Sequence, residues 1–426
     1  MKRPVSHDEP ETAEVAQRWP DLATVPGGPT ARIRALVADQ LFRRAARRAG
    51  IRVEYPDGSL IGPSTGAVLP RMIIRRPDAF ARRVGATGLI GFGEAYMAGD
   101  WATDDLVGLL TPFARAAATL VPRPLQFLRT LVLPGPRAEE KNTTANTRSN
   151  ISRHYDLSND LFTTFLDETM TYSCALFEHD PSPGTGLNWD DLAGAQRRKI
   201  DRLLDLAGVG PGTRLLEIGT GWGELCLRAA QRGAIVRSVT LSAEQCDLAN
   251  RRVVEAGYGD RVTIELCDYR LVTGEYDAIV SVEMIEAVGR EYWPAYFSTI
   301  DRLLAPGGLV AVQAITMPHD RLLASERTQT WVHKYIFPGG QLTSIRGIEE
   351  AVAEHTSLRP VDSARMGLHY AETLRLWRDR FNTEEDHVLE LGFDRTFIRM
   401  WDLYLAYSEA GFRAGYLDVV QLGFAR

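Results

Sequence analysis

The stretch TRLLEIGTGWG, residues 213–223, decides the fold of this chain. Its first half is a short apolar run typical of a buried strand, and its second half is a turn with Gly219, Gly221 and Gly223 that leads into the helical pattern ELCLRAAQRG. Glycines in such a turn permit positive φ angles and let the backbone pass close to a ligand. The pattern alone is weak evidence, because dinucleotide-binding domains begin in the same way and a single glycine can be an ordinary turn residue or helix cap.

The spacing of this turn favours S-adenosylmethionine over NAD. It follows GxGxG and lacks the GxGxxG phosphate turn, and Glu217 precedes the first glycine by two positions, where we expect a carboxylate that stays solvated beside a cationic ligand. Polar residues suited to ribose and adenine follow the next two strands, at residues 240–245 and 268–269. The predicted donor-site residues are Glu217, Gly219, Gly221, Gly223, Thr240, Leu241, Gln245, Asp268 and Tyr269.

Strand and helix continue to alternate after the turn. The runs IVRSVTLS, VTIELCD, YDAIVSVEM and GLVAVQAIT are typical of buried strands, and a helix is predicted around residues 292–304 between the last two. Such alternation indicates an α/β fold with a doubly wound parallel sheet. In such sheets, ligands bind at the carboxyl ends of the strands.

The chain of 426 residues is long enough for two domains. We predict a flexible arm over residues 1–29, a smaller α+β domain over 30–133, a linker over 134–150 and a catalytic domain over 151–426. The linker, PGPRAEEKNTTANTRSN, is polar, punctuated by proline and without apolar periodicity. In the smaller domain, IRVEY followed by the turn PDGS predicts a β-hairpin.

The smaller domain opens with a helix predicted over residues 31–48, capped by Gly50. The apolar residues that recur at helical spacing are Ile33, Leu36, Val37 and Leu41. The net charge of −6 argues against a nucleic-acid partner, yet seven arginines stand between residues 31 and 52 against one acid, Asp39. This excess predicts contact with an anionic phospholipid surface, and a solvated helix face is the alternative. The selected contacts are Arg43, Arg44, Arg47 and Arg48.

Other bulk features narrow the class of protein. The four cysteines lack the paired spacing of metal ligands, so we predict no metal site and expect free thiols in a reducing cytosol. The N-terminus has no apolar core region of a signal peptide, and no window is apolar for long enough to span a bilayer. We therefore expect a cytoplasmic homo-oligomer that is peripheral at the inner face of the membrane.

Several separated motifs resemble the cyclopropane fatty acid synthase and mycolic acid methyltransferase family. They are HYDLSNDLF (154–162), MTYSCA (170–175), LEIGTGWG (216–223), TLSAEQ (240–245), KYIFPGG (334–340) and LHYAETLRLW (368–377). The resemblance covers residues 150–426 and, less sharply, the N-terminal part. The combination of SVEMIEAVG with QAIT is most similar to the actinobacterial branch that makes tuberculostearic-type, 10-methyl-branched fatty acids.

The resemblance implies a seven-stranded methyltransferase sheet with a helical cover over an acyl tunnel. It adds Tyr155, Tyr172 and Ser173 to the donor site. It further implies a bicarbonate ion beside the transferring methyl group, held by the residues at four positions and by a histidine. The four positions are Cys174, Glu286, Ile315 and Tyr370. In this chain Gln313 stands in place of the histidine.

The implied reaction adds a methyl group to an isolated alkene. No base can activate an alkene by deprotonation, so the rate must come from placing it in line with the sulfonium methyl in a dry site. Aromatic faces can stabilise the resulting carbocation, and bicarbonate oriented by Glu286 and Tyr370 would then take a proton. The aromatic candidates, most of them expected in the core, are Trp377, Phe381, Phe393, Phe397, Trp401, Tyr404 and Tyr407.

The product depends on when the proton leaves. Direct loss closes a cyclopropane ring, whereas loss after a hydride shift leaves an exocyclic methylene. Because Gln313 replaces the histidine, we predict a 10-methylene chain from an oleoyl phospholipid, with the cyclopropane as the alternative. The sequence shows no second nucleotide-binding unit, so a saturated 10-methyl chain requires a separate flavin- or NADPH-dependent reductase.

Two other functions remain open on sequence alone. A methyltransferase of small molecules, nucleobases or proteins would share the donor motif, but SVEMIEAVG stands where a signature of the Asn-Pro-Pro-Tyr type would follow the fourth strand. A non-catalytic lipid carrier would need no intact donor turn, and LEIGTGWG, Gln245 and Glu286 argue against it.

Overall fold

The computed structural model of the chain describes residues 17–62, 70–120, 158–181, 186–325 and 328–426. By its internal contacts the chain divides into two compact units. The first unit comprises Met1–Gly135, Arg327–Tyr335 and Phe381–Tyr416, and the second comprises Pro136–Glu326, Ile336–Arg380 and Leu417–Arg426. Residues 381–416, which the sequence predicts to be part of the catalytic domain, belong to the first unit by their contacts, because the helix Arg395–Arg413 packs on the helices Leu89–Met97 and Leu106–Leu120. The predicted arm and linker boundaries stay predictions.

A small sheet with helices forms the described part of the first unit. Its strands are β1 (Arg52–Glu54), β2 (Leu60–Ile61), β3 (Arg71–Ile74) and β4 (Trp101–Thr103), in the order β2-β1-β3-β4. The antiparallel pairing of β1 with β2 confirms the predicted hairpin. Its helices are Pro20–Ala23, Gly28–Ala49, Pro77–Thr87, Leu89–Met97, Leu106–Leu120, Trp331–Tyr335, Glu385–Glu390 and Arg395–Arg413.

The helix Gly28–Ala49 packs on the core with a different face from the one that its larger apolar residues predict. It ends at Gly50, whose φ of 70° is the left-handed conformation that glycine adopts after a helix C-terminus. The apolar residues that predicted the helix face outward, with Leu36 71% and Ile33 65% exposed. The residues that face the core are Ala35, Ala38, Phe42 and Ala46. Small side chains suit this face, since the helix passes so close to Gly85 that a Cβ there would lie 2.8 Å from the backbone of Arg34.

A seven-stranded sheet forms the centre of the second unit, in the order β10-β11-β9-β8-β5-β6-β7. The strands are β5 (Arg214–Ile218), β6 (Ile235–Thr240), β7 (Val262–Leu266), β8 (Tyr276–Val282), β9 (Leu304–Thr316), β10 (Arg359–Arg365) and β11 (Asp418–Ala425). This confirms the predicted doubly wound, seven-stranded fold. The sheet is mixed, because β11 runs antiparallel to both β9 and β10, whereas β5 to β9 are parallel as predicted.

Helices cover both faces of this sheet. One apolar cluster lies under Asp190–Leu206, Glu224–Gln231 and Ala243–Glu255, and the other lies under Trp293–Leu303 and Ile345–His355. The further helices are Asn159–Phe165, His319–Ser325 and Gly367–Thr383, the last of which ends in the first unit. In the parts of the chain that the structure describes, no helix combines the length and apolar character needed to span a membrane.

Candidate active site

Two adjoining hollows open at the carboxyl ends of β5, β6 and β8. The larger encloses about 860 Å³, including some open to solvent, and the smaller about 440 Å³. They share the wall residues Gly219, Thr240, Leu241, Met284 and Ala287. The larger has polar and charged residues among the apolar ones in its wall, and the smaller is lined mainly by apolar and aromatic residues, so together they suit an elongated ligand with one charged end and one flat, weakly polar end.

The glycine turn lines the cleft through Gly219 and Gly221, whereas Gly223 lines neither hollow. Gly219, Gly221 and Gly223 have φ angles of 99°, 53° and 93°. A Cβ on Gly219 would lie 2.4 Å from the side chain of Met284, so no larger residue fits there without displacing its neighbour. A Cβ on Gly221 would meet no atom within 4 Å, so that position opens onto the cleft.

Glu217 lines the larger hollow, but the expectation that its carboxylate is solvated is wrong. The residue is 3% exposed because β5 lies between β6 and β8 in the sheet. Its Oε2 accepts a hydrogen bond of 2.6 Å from the Ser238 hydroxyl. Burial raises the pKa of Glu217 to about 8, so without a ligand the carboxyl group is mostly protonated at neutral pH, and a cationic ligand in the hollow would favour its ionised form.

The polar residues after β6 form the next part of the wall. The Thr240 hydroxyl donates to Oε1 of Gln245 over 3.1 Å, and Ser242 caps the helix Ala243–Glu255 by accepting from the Gln245 amide. Thr240, Leu241 and Gln245 all line the larger hollow. Because its oxygen is engaged, Gln245 has its amide NH₂ group for a ligand.

After β7, the two predicted residues behave differently. Tyr269 lines the smaller hollow together with Cys267, where its ring offers an apolar face to a flat ligand. Asp268 does not line either hollow, and its carboxylate is paired with Arg270, whose Nε donates over 2.9 Å. Contact between Asp268 and the donor therefore stays a prediction.

The motif upstream of the sheet covers the cleft. Tyr172 and Ser173 line the larger hollow, and the Trp222 indole donates to Asn159 over 2.8 Å, which joins the short helix Asn159–Phe165 to the glycine turn. Tyr155 lies outside the described residues. Among the seven aromatic candidates, Trp377 lies beside Tyr172 with ring centroids 5.2 Å apart. The other six belong to the first unit.

A second buried carboxylate, which the sequence analysis missed, accepts hydrogen bonds from three of the predicted catalytic residues. Glu283 follows β8 with a φ of 50°, a left-handed conformation that costs energy for a residue other than glycine. Its Oε1 accepts from the Cys174 amide over 2.9 Å and from Nε2 of Gln313 over 2.7 Å. Its Oε2 accepts from the Tyr370 hydroxyl over 3.0 Å.

Glu286 lies one turn further along the chain. Its Oε1 accepts from the Ile315 amide, whereas its Oε2 is buried without a hydrogen-bond partner among the described residues. Burial, followed by the charge of Glu283, raises the pKa of Glu286 to about 8. Burial raises the pKa of Glu283 as well, but three hydrogen-bond donors and the charge of Lys199 act against that shift, whereas Glu286 has one donor and is mostly neutral at neutral pH.

The structure brings together all five positions that the resemblance assigns to a bicarbonate ion, but their donors are already used. The amide of Cys174, the side chain of Gln313 and the hydroxyl of Tyr370 donate to Glu283, and the amide of Ile315 donates to Glu286. A bicarbonate ion held by those groups would have to displace these contacts and lie beside a buried anion. The residues present do not fit the implied ion, because the carboxylate of Glu283 already accepts the hydrogen bonds that would hold a bicarbonate ion.

Lys199 is a buried cation that the sequence analysis also missed. It is 1% exposed, lines the larger hollow, and donates to the Ser173 hydroxyl over 2.6 Å. Burial lowers the pKa of Lys199 to about 8, and the charge of Glu283 opposes that shift. The signal was present in the sequence, because Gln196 and Lys199 interrupt the otherwise apolar face of the helix Asp190–Leu206.

The arginines selected for membrane contact lie on the helix Gly28–Ala49. Arg44, Arg47 and Arg48 are exposed. Arg43 is half-buried instead, because it donates to Asp39 over 2.6 Å and lies over the ring of Tyr55. Arg43 therefore lies against Asp39 and Tyr55, and the other three lie on the outward side with the exposed apolar residues.

Fold and cleft together define the class. A doubly wound seven-stranded sheet, a GxGxG turn after its first parallel strand and an acidic cleft at the strand ends are the features of an S-adenosylmethionine-dependent methyltransferase. The chain matches the mycolic acid cyclopropane synthetase family over residues 142–422. The chain belongs to this family.

Individual relatives support this membership. The chain is 56% identical over 418 residues, 97% of this chain and 96% of the relative, to the tuberculostearic acid methyltransferase UfaA1 of Mycobacterium tuberculosis. It is 34% identical over 354 residues, 83% of this chain and 87% of the relative, to the cyclopropane-fatty-acyl-phospholipid synthase of Escherichia coli. The solved structure of the mycolic acid cyclopropane synthase CmaA1 with SAH and CTAB is similar with a TM-score of 0.59 at 30% identity, covering 66% of this chain and 98% of that one.

Proposed function

We propose that this chain transfers a methyl group from S-adenosylmethionine to the double bond of an oleoyl chain in a membrane phospholipid and releases a 10-methylene acyl chain. The observation that carries the proposal is the buried carboxylate of Glu283, which lines the donor cleft and is anchored by three hydrogen bonds. A fixed, desolvated base beside the donor is what a carbocation intermediate requires. The name of the 56% identical relative, a tuberculostearic acid methyltransferase, supports the same substrate class.

The proposed steps need no activated nucleophile. One alkene carbon attacks the sulfonium methyl, the carbon–sulfur bond breaks, and S-adenosylhomocysteine leaves with the electron pair. The positive charge then sits on the neighbouring carbon, where the aromatic rings of Tyr172 and Trp377 shield it from water. A hydride moves from the methylated carbon to that neighbour, a methyl proton passes to Glu283, and the C–H electron pair forms the exocyclic double bond.

The protonation states of the two buried carboxyl groups determine which of them can accept the methyl proton in this proposal. Glu286, with its pKa raised to about 8, stays neutral at pH 7, while Glu283 carries the negative charge. One site is therefore open for one proton. Glu283 takes the part that the family resemblance gave to bicarbonate, and Gln313 is the residue that fixes Glu283 in position.

Cyclopropane formation is the second candidate, since the family and the Escherichia coli relative are named for that product. Both reactions share the donor, the alkene and the first carbocation. They differ only in whether the methyl proton leaves before or after the hydride shift. Gln313→His tests whether the residue that holds Glu283 influences this partition.

Product analysis tests the proposal. The purified chain is incubated with labelled S-adenosylmethionine and dioleoyl phospholipid vesicles, and the acyl chains are identified by mass spectrometry and by the NMR signals of an exocyclic methylene. Gly221→Asp serves as the control that blocks the donor cleft. Labelled methylene chains are expected from the wild type alone, and unlabelled lipid after exhaustive incubation would contradict the proposal.

We propose further that the outward side of the helix Gly28–Ala49 contacts the anionic surface of the membrane that contains the substrate. Its N-terminal half exposes Ile33, Leu36 and Val37, and its C-terminal half exposes arginines. Apolar side chains that enter the acyl boundary next to basic residues at headgroup level are typical of interfacial helices. Each basic residue near such a surface contributes about 1 kcal/mol, and salt screens the effect.

Vesicle sedimentation tests this surface. The variant Arg44→Gln, Arg47→Gln, Arg48→Gln is compared with a control in which three exposed arginines elsewhere, Arg251, Arg346 and Arg359, become glutamine. Arg43 is left unchanged because it is paired with Asp39. Weaker binding to anionic vesicles by the first variant only is expected, and equal binding by both would remove the helix from the proposal.

A saturated 10-methyl product would need a further partner. The described part of the chain has one nucleotide-binding sheet, whose cleft we assign to the methyl donor. We therefore propose that a separate flavin- or NADPH-dependent reductase delivers hydride to the methylene product. Adding NADPH to the purified chain should leave the methylene unreduced, and appearance of the saturated chain would contradict the need for that partner.

A further inference from the structure

Behind Glu283 a line of polar side chains crosses the sheet toward solvent. Nε2 of Gln313 donates to Glu283, and Oε1 of Gln313 accepts from Nε2 of Gln421 over 2.9 Å. Oε1 of Gln421 in turn accepts from Nη1 of Arg202 over 2.7 Å. Both glutamines are fully buried and lie opposite each other in the register of β9 and β11. At the outer end, Arg202 also pairs with the exposed Asp362 over 3.0 Å.

The residues at the two ends of this line, Arg202 and Glu283, determine how the two amide groups between them are oriented. A guanidinium group can only donate and a carboxylate can only accept, so each amide between them must present its oxygen toward Arg202 and its NH₂ group toward Glu283. The second hydrogens reinforce the direction, because Gln421 also lies 3.4 Å from the Lys199 carbonyl and Gln313 lies 3.4 Å from the Cys174 carbonyl. Reversing either amide would place its oxygen against two acceptors.

We propose that Arg202 and Gln421 are positioning residues that orient Gln313 and thereby designate Oε2 of Glu283 as the atom that takes the methyl proton. This inference rests on the proposed role of Glu283 as the base. A carboxylate oxygen has two good acceptor directions. Oε1 uses both, for Cys174 and Gln313, whereas Oε2 has one described donor, Tyr370. The incoming proton therefore binds at Oε2 without displacing the anchor of Oε1.

The line of residues also bears on how readily Glu283 ionises. Burial raises the pKa of Glu283, and the Cys174 amide, Lys199, Gln313 and Tyr370 act against that shift. Glu286 is a further titratable group that faces it, and the two carboxyl groups repel each other when both are ionised. Among these contacts, the Gln313 amide is oriented by a described residue further from the site, Gln421, so changing Gln421 should act on Glu283 without touching the cleft.

Gln421→Glu is the sharpest perturbation. It preserves shape and the bond from Arg202, but it presents a carboxylate oxygen to Gln313, which must then turn its NH₂ group away from Glu283. Gln421→Leu removes the donor without adding charge, and covers the case in which the glutamate variant does not fold. Asp362→Asn is the matched control, because it contacts the same arginine on the outer side and leaves the line intact.

The measurement is the pKa of Glu283, read from its carboxyl band by infrared difference titration and assigned with Glu283→Gln. The expected result is a pKa at least one unit higher in Gln421→Glu, a tenfold change in the ionisation equilibrium, with a smaller rise in Gln421→Leu and none in Asp362→Asn. Rates of methylene formation at saturating donor should fall in the same order at low pH, recover as pH rises, and show unchanged donor KM.

Unchanged Glu283 ionisation in both Gln421 variants, with folding verified by circular dichroism, would overturn the inference. A uniform loss of rate at every pH would likewise assign Gln421 a structural role only. The titration does not depend on turnover. A missing effect of Gln421 on Glu283 is therefore distinguishable from failure of the proposed function, in which the wild type itself would not methylate oleoyl lipid.

Discussion

Glu283→Gln is the substitution that separates the base from its surroundings. The variant amide keeps the shape of the carboxylate, and its oxygen can still accept from Cys174 and Gln313. Its NH₂ group would then face the Tyr370 hydroxyl, which can accept as well as donate. All three contacts therefore survive, and we expect the fold and the donor affinity to survive with them.

What the variant loses is the ability to take a proton. General-base catalysis contributes about 10² to 10⁴ in rate, which corresponds to roughly 3 to 5 kcal/mol of transition-state free energy. We expect methylene formation to fall within that range. The buried anion disappears as well, so the stability of the variant should equal or exceed that of the wild type at neutral pH, because the burial cost of the charge is removed.

The assay follows methylene chains by mass spectrometry at saturating donor, with the exposed Glu255→Gln as control. Glu283→Gly is the companion variant, since a φ of 50° suits glycine and loss of the side chain leaves room for a small anion. Added bicarbonate should restore part of the activity of the glycine variant and none of the glutamine variant. A Glu283→Gln enzyme that forms product within threefold of the wild-type rate would refute Glu283 as the base.

Three further outcomes are expected. Gly221→Asp places a carboxylate in open space at a φ that aspartate tolerates, so calorimetric donor affinity should fall at least about tenfold with the fold intact, and unchanged affinity would move the donor site. Donor binding should strengthen as pH rises toward 8, by up to about tenfold per unit, because the cation favours the ionised form of Glu217; Glu217→Gln should abolish this dependence. The pKa of Glu286 is raised from 4.5 to about 8 in the folded state, so the folded state binds this proton more tightly and wild-type stability declines as pH rises between those values. Glu286→Gln should therefore be more stable than the wild type above pH 8, by on the order of a few kcal/mol in urea unfolding. A stability difference that is the same at all pH values would contradict this expectation.

Patterns of residues that are close in the sequence were sufficient to predict the parallel part of the sheet and the glycine turn. The glycine turn, the parallel strands β5 to β9 and the cap at Gly50 each depend on residues that are close in sequence. Strand β10 escaped prediction because it is largely exposed and carries no alternation of buried and exposed residues. Strand β11 escaped because periodicity alone does not distinguish a short, fully buried apolar run from a buried helix segment. The side of the first helix that faces the core could not be predicted either, because alanine packs closely there while larger apolar residues remain outside.

The proposed catalytic arrangement around Glu283 could not be predicted from the sequence, for a different reason. Glu283 gains its role from Cys174 and Tyr370, which are 109 and 87 residues away along the chain. Arg202 and Gln421 are separated by 219 residues. Single polar residues in apolar segments, such as Gln421 in DVVQLGFA, are the signal that could have pointed to them.

The most direct test of the account follows one hydrogen through the reaction. Dioleoyl phospholipid carrying deuterium at the alkene carbon that receives the methyl group is converted by the purified wild-type chain, and the product is analysed by NMR and mass spectrometry. We expect an exocyclic methylene with the deuterium moved to the neighbouring carbon, because the proton reaches Glu283 only after the hydride shift. A cyclopropane with the deuterium still on its original carbon would contradict it.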